Sequence, residues 1–319
     1  MHWLLWSVVI ITVLMTTTAW ALWLERKLAA RMGSRLGPTM VGRHGLLQPI
    51  ADLLKLLQKE DILPEAADGA LFNLAPILTA VFAIATVAVV PFGEGVIAAD
   101  LDIGVLWVLA FGGLMVIPVW MAGWASNNKF ALLGGMRAVA QAVSYEVPLV
   151  LASMVPVILA GSMSMTDIVH YQQQHSWIAL WPTLPGLPAF LLFLLASLAE
   201  SNRIPFDIPE AESELVAGVS TEYTGMKFGL FYMAEYIHTL VSSAIGAALF
   251  LGGWSGPFAP GLHWMLLKTL GLFVFIYVVR WTLLRFRQDQ LMRLAWVWLV
   301  PMGLVLVFMA AVVVVWGGA

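Results

Sequence analysis

Long runs of apolar residues without a charged side chain are the feature that most restricts how this sequence can fold. The first run, residues 2–24, contains no Lys, Arg, Asp or Glu, and no small-residue cleavage site follows it. A helix needs roughly 20 mostly apolar residues to cross a hydrocarbon layer about 30 Å thick. Seven further runs of similar length lie near 71–92, 104–125, 138–161, 177–199, 228–253, 264–284 and 294–316. The sequence therefore predicts an all-α polytopic membrane protein with about eight transmembrane helices, as a single integral membrane domain over residues 1–319. Seven or nine spans stay open if one run is re-entrant.

The composition supports a membrane protein and limits the chemistry of the chain. Of the residues, 61% are hydrophobic and 11% are charged, against about 45–50% and 25% in soluble domains. The sequence has no cysteine, which excludes disulfides, thiolate catalysis, cysteine-ligated zinc and iron–sulfur clusters within it. Its six histidines are scattered, and no Gly-x-Gly-x-x-Gly dinucleotide fingerprint follows a strand. We therefore expect no metal or cofactor to be bound by this chain.

The connections between the apolar runs alternate in charge. Segment 25–70 carries seven Lys and Arg residues, and the later connections on that side carry or adjoin the others, so that 15 of the 16 Lys and Arg residues share one side if Arg280 is counted there. By the positive-inside rule that side is the cytoplasm. The pattern predicts a bacterial inner-membrane protein with both termini in the periplasm. Lys268 is the exception, and we expect it to snorkel to its interface.

Segment 25–70 contains a predicted amphipathic helix on the cytoplasmic side, from Gly45 to Glu60. Pro49 fits only in its first turn. The helix lies in the membrane interface or packs against the other helices, and the two placements stay open. Its polar stripe is Gln48, Asp52, Lys55 and Lys59, and its apolar face is Leu46, Ile50, Leu53, Leu54 and Leu57.

Segment 200–227 concentrates carboxylates next to the end of a span. Two prolines, Pro205 and Pro209, forbid a regular helix between them. Crowded carboxylates beside a low-dielectric layer raise one another's pKa and titrate as a coupled set, so the group can hold or pass protons; a solvated acidic loop is the simpler alternative. The carboxylates within residues 200–214 are Glu200, Asp207, Glu210, Glu212 and Glu214, and Glu222 follows them.

Two further carboxylates, Glu146 and Glu235, lie inside predicted spans. An ionisable residue at membrane depth is costly and usually faces the helix bundle or a water-filled cavity. Proton handling is the favoured interpretation, and a structural carboxylate held by a partner such as Arg137 is the alternative. His238 shares a helix face with Glu235 and could extend a relay.

Three sequence blocks together resemble a known family. The first is Glu25-Arg26-Lys27 with Arg35-Leu-Gly-Pro38 and Leu47-Gln-Pro-Ile-Ala-Asp52. The second is Gly135-Met-Arg137 leading into Tyr145-Glu146. The third is the long block from Ala199 to Gly218, with Ala234-Glu235-Tyr236 beyond it. Over nearly its whole length the chain closely resembles the H subunit family (mitochondrial subunit 1) of respiratory complex I, the proton-pumping NADH:quinone oxidoreductase. Thr39, Ser201 and Ile204 depart from the usual pattern, and none of them removes a charged group.

The resemblance implies a role at the junction of the membrane arm and the peripheral arm. Quinone is the implied substrate, while NADH, FMN and the iron–sulfur clusters are expected in partner subunits. The implied partners are the quinone-site subunits of the peripheral arm, small and antiporter-like membrane subunits and membrane lipids; no nucleic acid is expected. The resemblance matches Arg35, Asp52, Lys55, Arg203, Phe206 and Asp207 to the quinone chamber. It matches Glu146, Glu200, Glu210, Glu212, Glu214 and Glu235 to an acidic proton or charge relay.

Two other functions remain as alternatives. One is the homologous subunit of a membrane-bound hydrogenase or formate hydrogenlyase, whose acidic loop matches the 205–218 block less well. The other is a stand-alone secondary transporter, which often shows internal repeats and substrate sites at broken midplane helices. We find no convincing repeat, and the polar residues gather at the cytoplasmic edge, which disfavours a transporter.

Overall fold

The computed structural model describes residues 2–180, 185–210 and 212–317, and the side chains of residues 2–10, 212, 213 and 317 are not described. Thirteen α-helices are found in these ranges. They are α1 (His2–Met32), α2 (Gln48–Gln58), α3 (Gly69–Val87), α4 (Gly104–Leu114), α5 (Val116–Ala125), α6 (Lys129–Ala160), α7 (Met165–Gln174), α8 (Gly186–Glu200), α9 (Glu212–Leu215), α10 (Gly225–Phe250), α11 (Leu262–Thr282), α12 (Gln288–Arg293) and α13 (Val300–Gly317). A π-helical turn over Leu294–Leu299 joins α12 to α13.

Six stretches of the described chain are long and apolar enough to cross a membrane: Gly69–Val87, Gly104–Ala125, Lys129–Ala160, Gly225–Phe250, Leu262–Thr282 and Gln288–Trp316. The prediction of an all-α polytopic membrane protein is confirmed. Helix α8 is apolar but shorter, and the predicted span over 177–199 includes residues 181–184, outside the described part. The predicted first span falls within α1. A total of eight spans stays a prediction.

The connections lie on two opposite sides of the helix bundle. On one side, Lys227 pairs with Asp61 at 2.8 Å and Phe286 N donates to Pro205 O at 2.9 Å. On the other side, Thr166 donates to Asp100 at 3.0 Å and Trp177 to Ser255 at 3.1 Å. We call the first the charged side, because it holds segments 25–68 and 201–224. This arrangement of the connections is the one that the charge alternation predicts.

Two long helices, α6 and α10, form the centre of the bundle. Helix α6 contacts α5, α8 and α13, while α10 contacts α3, α8 and α11. Large side chains such as Tyr145, Phe193 and Phe250 are buried between them. The outer helices keep their apolar side chains exposed, as on Leu267 and Phe308, because lipid solvates such side chains as well as a protein interior does.

The predicted amphipathic helix is observed as α2, with Pro49 in its first turn. Leu53, Leu54 and Leu57 on its apolar face are about half exposed. The helix contacts α1 and α10, so it lies against the bundle and still presents an apolar face outward.

The side chain of Lys268 reaches the connection between α10 and α11. Its ammonium group donates to the carbonyls of Leu251, Gly253 and Ser255 at 2.5, 2.8 and 2.5 Å, and it lies 4.1 Å from the ring centroid of Trp177. Backbone carbonyls at the end of α10 and in the connection after it therefore solvate the charge, on the side where we expected Lys268 to reach its interface.

Candidate functional site

The loop after α8 turns back into the protein on the charged side. Pro205 and Pro209 keep residues 201–210 out of a helix, as predicted. Gln141 holds the turn, because its amide nitrogen donates to Ala199 O at 2.7 Å and to Phe206 O at 2.8 Å. The fold therefore places this loop against α6 at a fixed depth.

Phe206 is the apolar anchor of this loop. Its side chain is buried, with its ring centroid 5.4 Å from that of Tyr145 and 5.5 Å from that of Phe286. These two aromatic side chains and the burial of Phe206 hold the loop in place. Contact of Phe206 with quinone stays a prediction.

Arg203 forms a buried ion pair with Glu235 of α10. Its guanidinium nitrogen lies 3.3 Å from a carboxylate oxygen of Glu235, and only 3% of its side chain is exposed. The guanidinium also lies 4.6 Å from the ring centroid of Tyr236. Burial opposes the charge of Arg203, but Glu235 together with Tyr277, Tyr236 and Glu25 outweighs this effect and raises the pKa of Arg203 above its ordinary value. The loop therefore brings a permanent positive charge to the helix that carries Glu235.

A second buried pair continues this network toward α1 and α11. The carboxylate of Glu25 accepts from the Tyr236 hydroxyl and from Arg280. Glu25 is only 5% exposed. Our sequence reasoning did not assign a site role to Glu25 or Arg280. The available signal was position, because Glu25 directly follows the first apolar run and Arg280 lies within the seventh.

Four of the predicted relay carboxylates line one internal cavity. It has room of about 100 Å³ for water, enough for several molecules, since one needs roughly 10–15 Å³ by this measure. His238 also lines it, with its Nε2 atom 3.6 Å from the Glu200 carboxylate. The four carboxylates are Glu146, Glu200, Glu210 and Glu235.

The loop carboxylates have altered proton affinities. The nearby negative charge of Glu235, together with burial, raises the pKa of Glu210 to about 8. Burial raises the pKa of Asp207, against the opposing effect of Arg280, Arg285 and Arg203. Among the described residues, one Asp207 oxygen is buried without a hydrogen-bond partner. Glu210 is therefore largely protonated at neutral pH and can exchange a proton near it.

Glu214 lies apart from the cavity. Its carboxylate is about half exposed and is held by Arg137 at 2.5 Å and Arg285 at 2.7 Å. The hydrogen bond from Arg137 is the main reason that its pKa is lowered. Arg137, considered above as a partner of Glu146, pairs with Glu214 instead. The side chain of Glu212 lies outside the described residues.

The structure separates the remaining predicted quinone residues from the cavity. Arg35 and Lys55 are exposed on the charged side. Asp52 accepts from Arg26 at 2.5 Å and from Gln48 at 3.1 Å. These residues belong to α2 and the segment before it, next to the half-exposed apolar face of that helix. They form a group distinct from the cavity carboxylates.

No group of three or more His, Asp or Glu side chains that could hold a metal ion occurs within residues 2–180, 185–210 and 212–317. The carboxylates of the cavity are spread over α6, α8, α10 and the loop. Their arrangement suits proton exchange through water better than coordination of one ion.

Comparison with known proteins identifies the family. The family model described as NADH dehydrogenase matches residues 5–311. The chain belongs to this family. A protein of Dehalococcoides mccartyi is 48% identical over 303 residues, covering 95% of this chain and 84% of the relative. One of Syntrophobacter fumaroxidans is 44% identical over 97% of this chain and 95% of the relative. One of Thermomicrobium roseum is 46% identical over 97% and 95%.

The names of these three relatives describe each of them as the H subunit of NADH-quinone oxidoreductase, and the second name carries the suffix 2. The family resemblance inferred from the three sequence blocks is confirmed. None of these names supports the hydrogenase alternative.

Proposed function

We propose that this chain is a membrane subunit of a proton-translocating NADH:quinone oxidoreductase and links the quinone chamber to a carboxylate relay. The observation that carries the proposal is the cavity, with room for several water molecules, that Glu146, Glu200, Glu210 and Glu235 line in a chain of this family. The cavity is joined to the charged side by the Arg203 loop. In such an arrangement, a change of charge at the loop can change which of the cavity carboxylates hold a proton.

The coupling step is electrostatic. Reduction of quinone near the loop adds negative charge close to Asp207 and Glu210, and these groups then hold more protons. Because unit charges a few ångströms apart interact by several kcal/mol at an effective dielectric constant near 20, the change reaches Glu235 through Arg203. Protons or charge imbalance then pass to Glu200 and Glu146 along the cavity.

The quinone is proposed to approach along the charged side, where Arg35, Asp52 and Lys55 lie on and beside α2. The half-exposed leucines of that helix suit a long apolar tail. Arg203 and Phe206 are buried, so in this proposal they shape the chamber by holding the loop. Asp207 remains the loop carboxylate proposed to face the quinone.

The roles of the relay residues divide according to their surroundings. We assign proton handling to Glu146, Glu200, Glu210 and Glu235, and Glu212 stays a prediction. The two arginines beside Glu214 favour the ionised form and support an anchoring role for it at the entrance. These surroundings support proton transfer by Glu214 less than they support it for the carboxylates that line the cavity.

The same proposal includes the setting of the chain. We place it in a bacterial inner membrane with both termini periplasmic, since the basic connections lie together on the charged side. Its partners are the peripheral-arm subunits at the quinone site and the small and antiporter-like membrane subunits. Those other subunits carry NADH, FMN and the iron–sulfur clusters.

The test is Glu146→Gln in the assembled complex, with NADH–quinone turnover and proton uptake measured in the same vesicles. We expect coupled turnover to fall, because glutamine cannot carry the proton. Glu94→Gln, an exposed carboxylate in the connection between α3 and α4, is the matched control and should behave as wild type. If Glu146→Gln keeps wild-type turnover and pumping, its relay role is wrong. Glu214→Gln tests the division of roles, and we expect it to keep pumping.

A further inference from the structure

The third apolar stretch loses its regular α-helical hydrogen bonding at Met115, beside the cavity, while its backbone stays helical there with φ −62° and ψ −21°. Helix α4 ends at Leu114, and α5 begins at Val116. Pro118 explains the break, because it has no N–H to donate to the carbonyl of Leu114 four residues earlier. Met115 N instead donates to Gly112 O at 3.1 Å, which tightens the last turn of α4. Two glycines, Gly112 and Gly113, stand directly before the break.

The carboxylates of two cavity residues lie against these glycines. A Cβ atom built on Gly112 would be 2.7 Å from a Glu200 carboxylate oxygen. A Cβ atom on Gly113 would be 3.0 Å from the carboxylate carbon of Glu146, with an oxygen of that group closer still. Carbon and oxygen atoms in weak contact normally stay about 3.3–3.6 Å apart. Neither carboxylate could keep its place beside an alanine.

Space, and not backbone conformation, is what requires glycine here. Neither residue has a positive φ, so alanine could adopt the same backbone. Glycine also weakens a helix interior relative to alanine. Two consecutive glycines in α4 therefore act against the helix, and the space that they leave is filled by the two carboxylates.

The two carboxylates belong to different helices. Glu146 is on α6 and Glu200 is at the end of α8, and both line the cavity together with Gly112 and Gly113. The glycine pair thus forms a surface without side chains, against which the carboxylates of Glu146 and Glu200 lie. A side chain on it would push each carboxylate away and divide the cavity between them.

We propose that Gly112 and Gly113 are positioning residues, which keep Glu200 and Glu146 in one water-containing space so that a proton can pass between them. This inference rests on the proposed relay and deepens it. It assigns a role in proton coupling to a helix that carries no titratable group at the cavity.

The experiment uses the whole complex in vesicles and compares Gly113→Ala with Gly271→Ala. A Cβ on Gly271, within α11, would meet nothing within 4 Å, so this control should pump as wild type. For Gly113→Ala we expect coupled turnover to fall by about 10- to 100-fold, because a displacement near 1 Å of a reacting group can cost that much. The number of protons taken up per NADH should fall in the same vesicles.

A compensating change separates positioning from general damage. Glu146→Asp shortens the side chain by one carbon–carbon bond, about 1.5 Å, and makes room for the added methyl group. We expect the double variant Gly113→Ala/Glu146→Asp to pump better than Gly113→Ala. If Gly113→Ala prevents assembly, Gly113→Ala/Glu146→Ala should restore the amount of assembled complex, since it removes the clashing group.

Three results would overturn the inference: wild-type pumping by Gly113→Ala, no gain in the first double variant, or no recovery of assembly in the second. Glu146→Gln keeps this inference distinct from the relay itself. If Glu146→Gln pumps normally, the relay proposal fails. If Glu146→Gln stops pumping while Gly113→Ala pumps as wild type, only the proposed role of the glycines is wrong.

Discussion

The buried ion pair between Arg203 and Glu235 leads to a quantitative prediction about stability. Replacing Arg203 by methionine keeps most of the side-chain volume but removes the charge. Glu235 then lies beside Asp207 and Glu210 with Arg280 as the remaining cation that acts on it. The Arg203 side chain is 3% exposed and that of Glu235 is 24% exposed, so the loss should lie at the lower end of the about 3–5 kcal/mol expected for a broken buried pair.

The double variant Arg203→Met/Glu235→Met provides the comparison. Replacing both members of a buried pair by apolar residues of similar volume is often nearly neutral. The double variant should therefore be more stable than Arg203→Met, although it loses a relay group. Arg293→Met, at an exposed arginine, is the control for loss of charge alone.

The assay is the temperature at which half of this chain becomes sensitive to protease in the purified complex. For an isolated domain of 150–250 residues, 1 kcal/mol shifts the midpoint by about 2–4 °C. We therefore expect a fall of at least about 6 °C for Arg203→Met and a smaller fall for the double variant. Equal falls in the two variants would refute the reasoning. An unchanged midpoint with a raised KM for quinone would instead place Arg203 at the quinone surface.

Two further predictions concern Glu210 and Lys268. Since the pKa of Glu210 is raised to about 8, its protonated carboxyl band in infrared difference spectra should disappear as the pH rises through 8, and Glu210→Gln should lack the band. Because the folded protein binds this proton more tightly than the unfolded chain, the stability of the wild type relative to Glu210→Gln should fall as the pH rises from about 4.5 to about 8, and should stay constant above that. If the difference between the two protease midpoints does not change with pH, this prediction is wrong. Lys268→Met leaves three carbonyls without their donor, at about 1–3 kcal/mol for each buried one. We expect faster proteolysis between residues 251 and 261, and an unchanged rate would show that water replaces the ammonium.

The six spans that the structure describes could be predicted because a membrane-crossing helix needs an unbroken apolar length, which can be counted in the sequence. Their ends were less predictable. Helix α6 begins at Lys129, nine residues before the predicted start, because the Asn128 side chain caps it by accepting from Phe130 N. Helix α7 was missed, although Ser164 caps it and Asp167 stands in its first turn, a spacing typical of a helix start.

The sequence also predicted that the site is rich in carboxylates, but it could not predict which of them line the cavity and which lie at the surface. Glu210 and Glu214 are four residues apart. One lines the cavity, while the other is held at the surface by Arg137 and Arg285. Those arginines come from distant parts of the chain, so local sequence could not show which carboxylate they would hold. Glu25 and Arg280 were missed for the same reason.

The carbonyls around Lys268 bear on the order in which the chain is built into the membrane. The ammonium lies on the side opposite the basic connections, where a positive charge opposes correct orientation during insertion. Its three acceptors, Leu251, Gly253 and Ser255, belong to residues synthesised just before it. The hairpin of α10 and α11 thus contains the carbonyl groups that solvate the ammonium of Lys268. These hydrogen bonds can form as soon as this hairpin closes, before the last helix has emerged from the ribosome.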